Sequence, residues 1–213
     1  MKFKGNKPKI ENKRTVTIDK NVVFGKNVQI SSGNIILGNC IIGDNTILGP
    51  NNYIKDSEIG SNNWITHSYI EESKIFDNCK IGPYSRFRPK SEIHNGCKIG
   101  NFVEIKNSTI LDNTKASHLA YIGDAVVGEN CNIGCGAIFA NYNGKEKFKS
   151  QVGDNVFVGS NVNVIAPINI ASNSYICAGT TITKDTNPFD FVIGRTKAVV
   201  KAEYAKRYIK EEK

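Results

Sequence analysis

One apolar position recurs every six residues. Ile18, Phe24, Ile30, Ile36, Ile42, Leu48 and Ile54 occupy it without a slip, and Ile59, Ile65, Ile70 and Ile75 continue it with some five-residue steps. Ile81, Phe87, Ile93, Ile99 and Ile105 return it to sixes, followed by Ile110, Ala116, Ile122, Val127, Ile133 and Phe139. After an interruption it resumes at Val152, Val158, Val164, Ile170, Ile176 and Ile182. A short fixed period over so much chain is the mark of a solenoid. Two positions before the apolar residue the side chain is small or slim, as at Thr46, Cys79, Ser85, Ser91, Cys97, Val103, Ala120, Cys131 and Val156. Just after it glycine is frequent, as at Gly25, Gly43, Gly82, Gly100, Gly128 and Gly134. A triangular parallel β-helix requires this pattern: a bulky residue filling the interior of each face, a slim one in the crowded inward slot, and turns that tolerate positive φ. Three hexads form one coil, coils stack roughly 4.8 Å apart, and residues 15–185 predict about nine of them. An antiparallel sandwich would instead alternate every second residue with irregular turn spacing.

Composition narrows the partners. A net charge of +8 favours anionic ones, whether nucleic acid, lipid headgroups or phosphorylated small molecules. The basic residues are scattered without interleaved aromatics, which argues against nucleic acid. No apolar run approaches the ~18 residues of a membrane span. Met1–Lys13 is charged and has no apolar core, so no signal peptide is expected. A cytoplasmic location with free thiols follows as the expectation for the six cysteines. Cys40, Cys79, Cys97 and Cys131 fall in the slim inward slot and read as space-fillers.

The chain divides into a basic N-terminal arm over 1–14, the solenoid over 15–185 and an extension over 186–213. The repeat breaks once, over 141–150 (NYNGKEKFKS), and a loop leaving a rigid scaffold is where function concentrates. Asn187-Pro188 marks a turn. Thr196–Lys213 predicts a short amphipathic helix with Ala198, Ala202, Ala205 and Ile209 on one face.

Stacking places distant residues side by side. Arg88 and Lys106 lie eighteen apart in the slot after the apolar residue, so they should form a vertical pair of cations. Two like charges at coil spacing repel unless an anion accompanies them, and a phosphate suits an Arg fork beside a Lys. Tyr121 and Gly123 come to nearly the same level one coil later. His118, one of three histidines, should neighbour Cys135. Histidine is the usual general base near neutral pH; a Cys–His nucleophilic pair is the other use of these two residues, and requires an exposed, activated Cys135. His67, His94 and His118 are too far apart in sequence to predict zinc.

Several motifs carry a resemblance: Arg-Phe-Arg-Pro at 86–89, Gly-Asn-Phe-Val-Glu-Ile-Lys-Asn-Ser at 100–108 and Lys-Ala-Ser-His-Leu-Ala-Tyr-Ile-Gly-Asp at 115–124. Gly-Glu-Asn-Cys-Asn-Ile-Gly at 128–134, Asn-Tyr-Asn-Gly at 141–144 and Gly-Asp-Asn-Val-Phe-Val-Gly-Ser at 153–160 extend it. From about Ile81 to Arg195 the chain resembles the acetyltransferase domain of the bifunctional glucosamine-1-phosphate acetyltransferase / N-acetylglucosamine-1-phosphate uridyltransferase family of hexapeptide-repeat acyltransferases. The upstream coils match as hexapeptide repeats only. The resemblance implies an all-β, left-handed parallel β-helix assembled as a homotrimer with active sites between subunits. It implies acetyl transfer from acetyl-CoA to glucosamine-1-phosphate, with no metal needed, on the route to UDP-N-acetylglucosamine and peptidoglycan.

Residue by residue, His118 matches the family's general base, and Arg88, Lys106, Tyr121 and Asn132 match the sugar-phosphate site. Asn141, Tyr142, Lys147, Ser160, Ala178 and Arg195 match positions near acetyl-CoA. Cys135 stands beside the thioester, where the family has Ala, and acts there either as filler or as a perturbation of cofactor binding. No Gly-rich α/β half corresponding to a uridyltransferase precedes the repeats, which points to a separate protein for that step. Acetylation of another amino-sugar nucleotide for surface glycans, and a non-catalytic assembly module, are the alternatives.

Overall fold

Most hexads fold into a strand of two or three residues and a turn. Such a strand has no stability alone and takes it from the rungs above and below. The computed structural model, which describes residues 4–209, is a parallel solenoid with three faces. On the first face Val23 pairs with Ile41, Ile41 with Glu58, Glu58 with Lys74 and Lys74 with Glu92. On the second, Trp64, Lys80, Lys98, Lys115 and Asn132 stand in one column. On the third, Tyr53, Tyr69, Arg86, Glu104, Tyr121 and Ile138 do the same. Contacts from rung to rung span 18, 17 or 16 residues, so the five-residue steps shorten a coil without disturbing its register. The first face forms a ten-stranded sheet; the other two join into one of nineteen. They join because Lys98–Lys106 and Lys115–Gly123 run unbroken around the corner between them.

Every residue of the six-residue series from Phe24 to Ile182 is buried, most of them completely. Burial of each aliphatic side chain contributes about 1.5–3 kcal/mol, repeated on three faces of every coil. Cys40, Cys79, Cys97 and Cys131 fill inward slots as expected, and Cys177 is buried with them. The abundance of Asn has two causes. Asn27, Asn45, Asn62, Asn78, Asn113 and Asn130 take positive φ at one corner, where Asn is tolerated better than other side chains. Others ladder inside: buried Asn52 donates from Nδ2 to Asn34 Oδ1 at 2.9 Å.

Two expectations about the ends change. Part of segment 1–14 belongs to the solenoid: Lys4–Gly5 pairs with Val23–Phe24 and Lys9–Ile10 with Gln29–Ile30, giving the first face its tenth strand. The helix expected over 196–213 is replaced, within the described residues, by one 3-10 turn at Tyr204–Arg207. Ala198, Ala202, Ala205 and Ile209 are all exposed, and a short helix whose apolar stripe meets nothing is marginal in water; residues 210–213 of that expectation lie outside the description. No helix among the described residues is long and apolar enough to cross a membrane.

Candidate active site

The site is built from a corner and the face beyond it. The strand Lys115–Gly123 leaves the second face, turns the corner at His118 and continues onto the third. Its register sets Asn101 above His118, and the pairing of Ala116 with Ile133 sets Cys135 below it. Ile133 pairs with Val158 and Val158 with Ile176, so Ser160 and Ala178 follow in the same column. Arg195 closes it, donating from Nη1 to the Ala178 carbonyl at 3.0 Å. His118, Cys135, Ser160, Ala178 and Arg195, scattered over the sequence, thus line one edge of the prism. His118, Cys135, Ser160 and Ala178 are all exposed. Four rungs at roughly 4.8 Å make an edge about 19 Å long below the imidazole.

Among the described residues His118 has one polar partner. Its Nδ1 lies 2.9 Å from Asn101 Oδ1. An amide oxygen only accepts, so the contact selects the tautomer with the proton on Nδ1, which in the neutral ring leaves the lone pair on Nε2, as a base needs. Asn101 escaped the sequence reading, although the register that paired His118 with Cys135 also leads to it.

On the third face the two cations stack as expected: Phe87 pairs with Ile105, and Lys106 with Gly123. Each cation also has an acid of this chain beside it, which the coil spacing does not anticipate. Arg88 Nη1 contacts Glu104 Oε1 at 3.1 Å. Lys106 Nζ sits 2.8 Å from Asp124 Oδ2 and 3.1 Å from its Oδ1. Two carboxylates therefore compensate two cations. Coil spacing reaches neither acid, because it relates equivalent slots and these carboxylates occupy neighbouring ones. The Arg88 side chain is 42 % exposed and uses one nitrogen on Glu104, which leaves most of its fork available to a ligand.

Asp124 is the organising acid of this corner. Its carboxylate accepts from Lys106, from Asn107 Nδ2 at 2.6 Å and from Asn141 Nδ2. Burial pushes its pKa up, but these three donors outweigh burial and hold it below the ordinary carboxylate value. Asn141, matched to the donor side, is buried here with its amide tied to Asp124. Tyr142 and Lys147 leave with the loop and are exposed on it, held together by a backbone bridge. Tyr121 leans over Gly123, where an added Cβ would meet its hydroxyl at 2.4 Å; glycine there is what lets the phenol lie beside the Lys106 column. Asn132 alone of the expected acceptor residues projects from the second face, away from Arg88, Lys106 and Tyr121. Five cysteines are buried and Cys135 is exposed, directly below His118 in the column.

Comparison with known proteins gives consistent neighbours. The family model of the GMPPB C-terminal domain matches residues 69–143, and that of the bacterial transferase hexapeptide (six repeats) matches 21–56 and 149–184. The chain is 52% identical over 184 residues to the bifunctional protein GlmU of Caldicellulosiruptor saccharolyticus, covering 86% of this chain and 40% of that one. Against the GlmU of Clostridioides difficile the figures are 45% over 190 residues, 89% and 41%. Against that of Clostridium novyi they are 43% over 218 residues, 99% and 48%. The chain spans less than half the length of these curated relatives. Among solved structures, UDP-N-acetylglucosamine acyltransferase from Campylobacter jejuni is 15% identical with a TM-score of 0.48, covering 95% of this chain and 79% of that one.

Proposed function

We propose, from the premise that this chain belongs to the hexapeptide-repeat transferases related to the GlmU proteins, that it moves acetyl from acetyl-CoA to the amino group of glucosamine-1-phosphate. The observation that carries this reading is the exposed edge with His118 at its head and Cys135, Ser160, Ala178 and Arg195 below it. A long thin thioester laid along that edge ends with its carbonyl carbon beside the imidazole. The acceptor nitrogen attacks that carbon, Nε2 of His118 takes the proton lost by the amine, and the carbon–sulfur bond breaks. The departing thiolate takes up the proton. Arg88 and Lys106 hold the phosphate with Tyr121 beside it, while Asn107, Asp124 and Asn141 fix Lys106 in place.

The acceptor site is composite in this reading. Asn132 faces out from the second face and Arg88, Lys106 and Tyr121 from the third, and a convex corner stands between them. A sugar whose amine lies a few bonds from its phosphate cannot touch both sets on one copy. A second copy laid against this edge turns the corner into a cleft, and a closed trimer supplies three such clefts.

Thiol release from acetyl-CoA, measured with glucosamine-1-phosphate and a panel of UDP- and dTDP-amino sugars, tests the activity. The highest kcat/KM is expected for glucosamine-1-phosphate, and no release with any acceptor overturns the reading. Arg88→Ala and Asn132→Ala should each be strongly impaired alone. Co-expressed in equal amounts, they should regain about a quarter of wild-type activity, since random assembly of a ring makes about that share of clefts intact. Simple averaging of the two parents would place both residues on one copy.

A further inference from the structure

The second face carries a feature that this chemistry does not use. Lys80, Lys98 and Lys115 stand directly over one another on three successive rungs, all exposed. Four cations on the neighbouring faces have an acid in contact: Lys74 has Glu58, Arg86 has Glu71, Arg88 has Glu104 and Lys106 has Asp124. Among the described residues these three lysines have none. The ladder sets the three residues one rung apart, so each ammonium raises the potential at the next, with no acid of this chain in contact among the described residues.

The column's place is informative. Arg88 belongs to the coil of Lys80, Lys106 to that of Lys98 and His118 to that of Lys115, so the uncompensated cations share the rungs of the compensated pair. Lys115 lies on the strand that carries His118. Below it the column continues through Asn132, the expected acceptor contact. A hollow of about 310 Å³ opens at that point, lined by Gly96, Asn113, Lys115, Asn130, Cys131 and Asn132. Because Glu104 and Asp124 offset Arg88 and Lys106, the lysine column is the one stacked set of unpaired cations on these rungs among the described residues.

We infer that Lys80, Lys98 and Lys115 form a capture track for the phosphorylated acceptor, which draws the phosphate to the cleft and lowers KM. This rests on the proposed acceptor being an anionic sugar phosphate. A field of fixed cations acts at a distance, raises the encounter rate of an anion by tenfold or more and fades as salt shortens the screening length. It contributes equally before and during the reaction, so kcat is untouched.

The test is a triple variant, Lys80→Gln, Lys98→Gln and Lys115→Gln, compared with a charge-matched control, Lys20→Gln, Lys26→Gln and Lys184→Gln. Steady-state kinetics with glucosamine-1-phosphate are run at low and at high ionic strength, and sedimentation reports the assembly. The track predicts kcat/KM reduced about tenfold at low salt in the triple variant only, with kcat within twofold and the gap closing at high salt. Unchanged kcat/KM in the triple variant overturns it, as does an equal loss in the control, which would make net charge the cause. Dissociation of the triple variant also overturns it and assigns the lysines to a contact between copies. An inactive wild type would fail the proposed function rather than the track.

Discussion

His118→Ala is expected to lower kcat by a hundredfold or more while the melting curve stays where it was. The imidazole is exposed at a corner and its one polar partner among the described residues is Asn101. Truncation therefore opens no cavity and orphans no buried group, and a surface change of this kind moves stability by about 0.5 kcal/mol or less. What it removes is the acceptor for the proton that must leave the nitrogen as the amide forms. Activity and melting of wild type and variant, measured together, separate the two effects: a wild-type rate would end the assignment of His118 as base, and a lost fold would show that the corner needs the ring. Asn101→Leu provides the graded case. It keeps the imidazole but frees Nδ1, so both tautomers become available and only part of the rate should go.

The scaffold was legible because its physics is local and repeated. A residue such as Ile99 or Ile105 is buried for the same reason as the residues one hexad away, and one period places all of them. Stacking then placed His118 over Cys135 and Arg88 over Lys106 without any tertiary information. It failed at the acids. Glu104 reaches Arg88 from an adjacent slot, and Asp124 reaches Lys106 across a corner, where side-chain direction rather than register decides. The lysine column carries no signal in the period for a related reason: Lys80, Lys98 and Lys115 precede the apolar position, in a slot that merely alternates outward. The ends failed for want of neighbours. Lys9–Ile10 carries no hexad before it, yet it pairs because Gln29–Ile30 presents an open edge. The stripe through Ala198 and Ile209 meets no partner among the described residues.

Replacing Asp124 by Asn should cost about 2–4 kcal/mol at neutral pH, because one carboxylate satisfies three donors at a buried corner. Lys106 keeps 17 % side-chain exposure and Asp124 7 %, so loss of the acid strands a largely desolvated ammonium. Breaking a buried pair from one side costs about 3–5 kcal/mol, discounted here for the water Lys106 still meets. The pH dependence has a definite sign. The carboxyl is held below its ordinary value in the folded state, so the unfolded chain binds more protons as pH falls. Its stabilisation is complete above about pH 4, the unfolded carboxylate value, and is lost as pH drops through the lower folded value. Urea unfolding of wild type and Asp124→Asn should therefore differ most at pH 7 and converge in stronger acid. The double variant Lys106→Met, Asp124→Asn separates the pair from the corner: if the ion pair is the main loss, it should fall short of the summed single effects by 0.5–3 kcal/mol. Activity should follow in a particular way. With Asp124→Asn the ammonium is no longer aimed along the third face, so KM for the sugar phosphate should rise more than kcat falls. Equal stability at pH 7 would show that Lys106 is solvated rather than clamped, and that the phosphate site is not set by this acid.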